Sequence, residues 1–99
     1  MILFEWDEDK EQSNIQKHGI DFTIASQVFF DESRIEFFDI DHSTGDEERF
    51  ITIGAVGRIL TVVYTERSES LRIISARIAT RKERNTYYGN EKIYTDRKS

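Results

Sequence analysis

The basic residues of this chain gather late in it. Arg67 is followed through SESLRIISARIATRKER by Arg72, Arg77, Arg81, Lys82 and Arg84, with Glu69 and Glu83 the acids among them. A guanidinium grips phosphate through two parallel hydrogen bonds, which an ammonium does not. A helix opening near Arg81 would add free N–H groups and a positive dipole end to an anion site. Trp6, Tyr87 and Tyr88 offer rings on which bases stack at about 1–3 kcal/mol each. Cations interleaved with aromatics fit RNA or another polyanion, and they also fit the solvated surface of a small domain.

A second polar set lies near the N-terminus. In a helix over about 8–18, Lys10, Asn14, Lys17 and His18 are related by steps of four, three and four, which places them on one broad face. Ile15 is the only aliphatic residue there, too little for a packing stripe. The face that recurs is cationic and hydrogen-bonding, so the helix is either a ligand surface or simply solvated. Glu66, beside Arg67, is a carboxylate that stays ionised next to guanidinium groups and serves either as a base or as half of an ion pair.

The acidic loop DIDHSTGDEE, residues 39–48, invites a metal reading but fails the EF-hand pattern. Gly45 comes one place too late and Phe50 stands where a Glu is needed. One His among acids is a weak transition-metal signal. The loop reads as solvated, or as a docking surface for something basic. Without Cys or a Gly-framed Ser, nucleophilic catalysis has no support, and phosphate loops and dinucleotide fingerprints are absent. Neither a metal nor a cofactor is expected.

A small scaffold must position these groups. The 99 residues suit a single domain, with a core over about 2–88 and a polar tail over about 89–99 that frays. A chain of this size buries roughly 60–65% of its unfolded surface. The absence of Cys fits a reducing cytoplasm. The apolar runs MILF and ILTVVY are far shorter than the roughly 20 residues of a membrane span. The net charge of −5 hides a division: residues 1–50 carry 4 Lys+Arg against 14 Asp+Glu, and residues 51–99 carry 10 against 5. The acidic half attracts a basic protein and the basic half attracts phosphates.

Local signals give the elements. Ile2 to Trp6 reads as a strand. Asp7 caps the helix over 8–18, Glu8 and Asp9 suit its first turn, and Gly19 suits its end. Asp21 caps a second helix through about Phe30, where Phe22, Ala25, Val28 and Phe29 recur at core spacing. RIEFF (34–38), RFITIGAV, RILTVVYTE and LRIISARIA are strands, the last three close enough for an antiparallel meander. Thr80 and Glu83 form a capping box for a third helix. The expectation is an α+β domain, one antiparallel sheet with helices on one face and the other face partly open. Strict alternation in the last strand sends Arg72, Ile74, Ala76 and Ile78 one way, and Leu71, Ile73, Ser75, Arg77 and Ala79 the other. Ser75 and Arg77 mid-strand point to a concave polar surface, unless the Arg merely snorkels to water.

Taken together, FEWDEDKEQSNIQKHGIDF, DHSTGDEERFITIG, GRILTVVYTER and RIISARIATRKER resemble the successive blocks of the BrnT toxin family of bacterial type II toxin-antitoxin systems, in order, from about Phe4 to Tyr88. The resemblance implies a small ribonuclease with a RelE-like fold that inhibits translation and growth. It implies a BrnA-like ribbon-helix-helix antitoxin as partner, with DNA reached only through the complex, which represses its own promoter. By position it covers Trp6, Asp7, Lys10, Asn14, Lys17, His18, Gly19, Glu66, Arg67, Arg72, Ser75, Arg77, Arg81, Glu83 and Arg84. Relatives often carry a second Arg after position 77, where this chain has Ile78, and a more basic last helix than NTYYGN. The grip of that helix on substrate is then weaker here, or Tyr87 and Tyr88 replace charge with stacking.

Under that resemblance the NIQKHG helix lines an RNA site with the Arg-rich strand. Metal-free cleavage by the 2′-hydroxyl needs a base, an acid for the leaving 5′-oxygen, and cations on the phosphate. His18, with an ordinary pKa of about 6.5, suits either proton role, and Glu66 is the second choice as base. Arg67, Arg77 and Arg81 would hold the phosphate. Lys10 and Lys17 would position it, with Trp6, Asn14, Arg72, Ser75, Arg84 and Tyr88 completing the RNA surface. The rival reading is a non-enzymatic interaction or RNA-binding module whose acidic half docks a basic partner.

Overall fold

The computed structural model describes residues 2–98, with side chains described through Gly89. The elements are β1 (Leu3–Trp6), α1 (Glu8–His18), α2 (Phe22–Ser26), a 3-10 turn (Gln27–Phe30), β2 (Ile35–Phe38), a 3-10 turn (Ile40–His42), β3 (Arg49–Val56), β4 (Arg58–Glu66), β5 (Ser70–Ile78) and α3 (Arg81–Lys98). The strands stand in the order β1-β5-β4-β3-β2. The α+β architecture and the meander β3-β4-β5 are as expected from sequence. The sheet is mixed rather than wholly antiparallel, because β1 runs parallel to β5, pairing Leu3 with Ser70 and Trp6 with Ile73. No local signal distinguishes a parallel edge strand from an antiparallel one, since the chain must return through the whole domain to form it.

One face of the sheet packs on α2 and the turn after it. Ile20, Phe22, Ala25, Val28 and Phe29 meet Leu60, Val62, Tyr64, Ile73 and Ala76. The second helix is shorter than expected: after Ser26 the chain tightens into the 3-10 turn, which still brings Val28 and Phe29 inward. A smaller cluster, Ile53, Ile59, Ala79 and Tyr87, lies on the opposite face beneath α3. The helices are therefore not confined to one face. Glu83 and Tyr87, four residues apart, turn the same side of α3 to the sheet. Tyr87 Oη donates to Asp31 Oδ2 at 2.7 Å. Helix α3 also continues through Gly89 to Lys98, past the point where a frayed tail was expected. A single glycine costs a helix only about 1 kcal/mol relative to Ala, and the following Glu, Lys and Arg residues favour the state.

The largest departure from alternation is in β5. Val63 pairs with Ser75 but its neighbour Tyr64 pairs with Ile73, so Ile74 is an extra residue, a β-bulge. The bulge moves Ala76 to the buried side with Ile73. It sends Ser75 and Arg77 to the open side beside Thr61 and Val63. The expected face assignment was thus wrong after Ile74, where period two restarts: Ala76 and Ile78 share the side of Ile73, and Ser75 and Arg77, expected beside Ile73, lie opposite it. Part of the face on which α3 packs remains open beside the helix, as anticipated.

Candidate functional site

Helix α1 begins at Asp7, whose carboxylate accepts the N–H groups of Asp9 and Lys10 at 2.9 and 3.1 Å. It ends at Gly19, left-handed at φ 70, with its N–H donated to the Ile15 carbonyl. Its docking is polar. Glu11 and Asn14 are its buried residues, and Glu11 accepts the Phe22 N–H at 2.9 Å. Asn14 bonds the backbone of Ala76 through both ends of its amide, and also donates to the Ile20 carbonyl at 2.9 Å. Both amide protons of Asn14 are thereby used, so its role is to hold the helix. That docking leaves Lys10, Lys17 and His18 exposed around a hollow whose far wall is Ile74 and Ser75.

Ile74 and Ser75 also wall a second, larger hollow of about 510 Å³, within the range of ligand sites. Thr61 and Val63 floor it, Arg49 and Arg77 bring positive charge, and Asp39, Asp41 and His42 form its rim. The two hollows adjoin through the bulge. Arg77 donates to Glu83 Oε1 at 2.6 Å and to Oε2 at 2.9 Å, a bidentate pair. Thr61 Oγ1 and the Thr80 N–H donate to the same Oε1. The Arg77 guanidinium, then Thr80 and Thr61, hold the Glu83 carboxyl down at about 2, and Glu83 in turn raises Arg77. Arg77 is thus charged and fixed in orientation while 39% of its side chain stays exposed.

Other expected site residues lie apart. Arg72 donates to Glu5 Oε2 at 3.0 Å, and Ser70 then Arg72 lower the Glu5 carboxyl. Glu66 and Arg67 line a different hollow, bounded by Thr44–Glu48 of the acidic loop. Arg67 there lies 3.5 Å from Glu47. The Glu47 carboxyl is lowered by Arg49 first, then by Arg67 and Lys10. Lys10 of α1 therefore contributes to the field over the loop as well. Arg81 is exposed at the start of α3, and Arg84 donates back to the Ala79 carbonyl. Trp6 packs edge-on to Phe22, with ring centroids 6.0 Å apart, as part of the core margin. Tyr88 is 55% exposed, whereas Tyr87 is buried and cannot stack on a ligand.

Sequence reasoning missed Asp39, His42, Arg49 and Thr61 as lining residues. Thr61 and Arg49 share the open face with Ser75 and Arg77 only because of the bulge. His42 was treated as one residue of an acidic loop. Among the described residues, no group of three or more His, Asp or Glu is placed to hold a metal ion. Likewise, no helix there is long and apolar enough to cross a membrane.

Residues 6–83 match the family described as "Ribonuclease toxin, BrnT, of type II toxin-antitoxin system". Among solved structures, the chain is similar to the 1.1 Å crystal structure of the Brucella abortus ribonuclease toxin BrnT. The two share 30% identity, with a TM-score of 0.63, over 82% of this chain and 100% of that one. No curated protein matches the sequence.

Proposed function

The chain belongs to the BrnT family of type II toxin-antitoxin ribonuclease toxins, and we propose that it cleaves RNA without a metal, in the paired hollows between α1, β5 and the loop after β2. The observation that carries this reading is the convergence of Lys10, Lys17 and His18 on Ser75, one residue of strand away from the fixed guanidinium of Arg77. The ammonium groups and Arg77 stabilise charge on the phosphate. His18 supplies one proton transfer. The 2′-hydroxyl attacks phosphorus, the bond to the 5′-oxygen breaks, and a 2′,3′-cyclic phosphate and a 5′-hydroxyl result. Arg81 at the helix start, Arg84 and Tyr88 extend the surface for the strand.

Glu66 and Arg67, at the other hollow, serve this reading as contacts to flanking RNA rather than as the reacting groups. The antitoxin is of the BrnA-like ribbon-helix-helix type. Its basic segments meet the acidic half, and the promoter is bound only through the complex, in the cytoplasm.

Purified chain incubated with total RNA in EDTA tests this. Cleavage to cyclic-phosphate ends by the parent, with loss in a Lys17→Ala, His18→Ala double variant of unchanged melting temperature, supports it. Both residues are exposed, so folding survives the change. RNA left intact by the parent, together with unimpaired growth on its expression in cells, would overturn it in favour of a binding module.

A further inference from the structure

We infer that His42, oriented by Asp39, is the second proton-transfer residue of this site, acting as the base that activates the 2′-hydroxyl while His18 acts as the acid. The inference rests on the ribonuclease reading above. Asp39 is 7% exposed and both its carboxylate oxygens face His42 Nδ1, at 3.0 and 3.2 Å. An ionised carboxylate only accepts, so Nδ1 must carry the proton and donate it. Nε2 is thereby the basic nitrogen. The ring itself is 69% exposed on the rim of the hollow that holds Arg77, Arg49 and Ser75.

The turn does not need this imidazole to hold its shape. The Asp39 N–H donates to the Arg49 carbonyl at 2.8 Å, the Ser43 hydroxyl donates to the Asp39 carbonyl at 2.7 Å, and the Arg49 N–H donates to that hydroxyl at 2.8 Å. A buried carboxylate spent on fixing the tautomer of an exposed ring is the arrangement that an acid–base catalyst requires. The position also suits the chemistry: the dyad lines the same hollow as the guanidinium that would hold the phosphate.

Proton and electron pairs balance without a co-reactant. Nε2 of His42 takes the 2′-hydroxyl proton as the oxygen attacks phosphorus, and the departing 5′-oxygen takes a proton from His18. Water then returns both imidazoles to their starting states. The charged groups around His42 are Asp39 and Asp41 of its own turn, Arg49 of β3 and Arg77 of β5, the last already paired with Glu83 of α3.

The test is a pH profile of single-turnover cleavage in EDTA, with RNA affinity and melting temperature measured alongside. His42→Asn is the informative variant, because its amide nitrogen can keep the bond to Asp39 while Nε2 is lost. The expected result is a fall in rate of about 10²–10⁴, with loss of one limb of the pH profile, unchanged RNA affinity and unchanged folding. Asp39→Asn, a change at a positioning residue, should lower the rate and displace that limb. Should His42→Asn destabilise the turn, His42→Ala supplemented with free imidazole gives the answer: recovery of rate supports the assignment and no recovery overturns it. A His42→Asn protein that retains the parent rate and limb overturns the dyad alone. A parent that binds RNA but never cuts it overturns the dyad and the nuclease reading together.

Discussion

Asn14 stands in for a strand along the edge of β5. Its Oδ1 accepts the Ala76 N–H at 3.0 Å and its Nδ2 donates to the Ala76 carbonyl at 2.8 Å, beyond the point where β1 ends its pairing at Trp6. Asn14→Ala would strand both backbone groups and the Ile20 carbonyl in a buried position. Each unsatisfied group costs about 1–3 kcal/mol, so a loss of roughly 3 kcal/mol in urea unfolding is expected. Asn14→Asp should be no better, because a carboxylate offers no donor to the two carbonyls. Denaturation curves within 0.5 kcal/mol of the parent would show that the edge is satisfied some other way.

Glu83 gathers Arg77, Thr61 and Thr80 at one carboxylate. Its folded pKa of about 2 lies below the ordinary 4.5. A depressed carboxylate contributes stability that is complete above its unfolded value and is lost as pH falls through the folded one. Glu83→Gln is therefore expected to be less stable at pH 7 by about 2 kcal/mol. The gap should narrow between pH 4.5 and 2, measured as chemical denaturation at several pH values. A gap independent of pH would assign the loss to packing instead.

Gly54 is the close-approach glycine of the sheet. A Cβ there would lie 2.8 Å from Val28 Cγ1, 3.1 Å from Arg34 Cβ and 3.3 Å from Asp31 Oδ2. Gly54→Ala should cost about 1–3 kcal/mol through overpacking. That is roughly 4–8 °C in melting temperature per kcal/mol for a domain of this size. Asp31 also accepts the Ala55 N–H and the Tyr87 hydroxyl, so the same variant should loosen α3. Amide exchange on β3 and α3 reads that directly.

RNA affinity should fall with salt, with a log-log slope near −0.7 for each phosphate contacted by a single strand. Lys10→Ala and Lys17→Ala are each expected to reduce the slope by about that amount, leaving stability within about 0.5 kcal/mol because both side chains are exposed. A slope indifferent to both changes would remove α1 from the RNA path.

Much of the fold was legible because its signals are local. Asp7, Gly19 and the Thr80–Glu83 box sit where caps must sit, and the three meander strands are separated by short turns. What escaped depends on residues distant in sequence. Asn14 and Ala76 are 62 positions apart, and an Asn on a polar helix carries no mark of burial. Ile74 is a bulge without a Gly or Pro to announce it. Of the candidate site, Lys10, Lys17, His18 and Ser75 line one hollow, and Arg77 lines the adjoining one. His42 was invisible because only the buried Asp39 beside it distinguishes it from any loop histidine.

The extra residue at 74 acts on the strand as a frameshift acts on a message. Upstream, the frame is set by β1 and the helix layer; downstream, a new frame assigns Ser75 and Arg77 to the groove. Deleting Ile74 would restore strict alternation without moving any flanking side chain across the sheet: Ile73 and Ala76 would stand two apart on the core face, with Arg72, Ser75 and Arg77 together on the other, and the side chain that walls both hollows would be lost. What the inserted letter adds is a surplus side chain at the seam, shared by both hollows, while the reading on either side of it keeps core and groove residues in alternation.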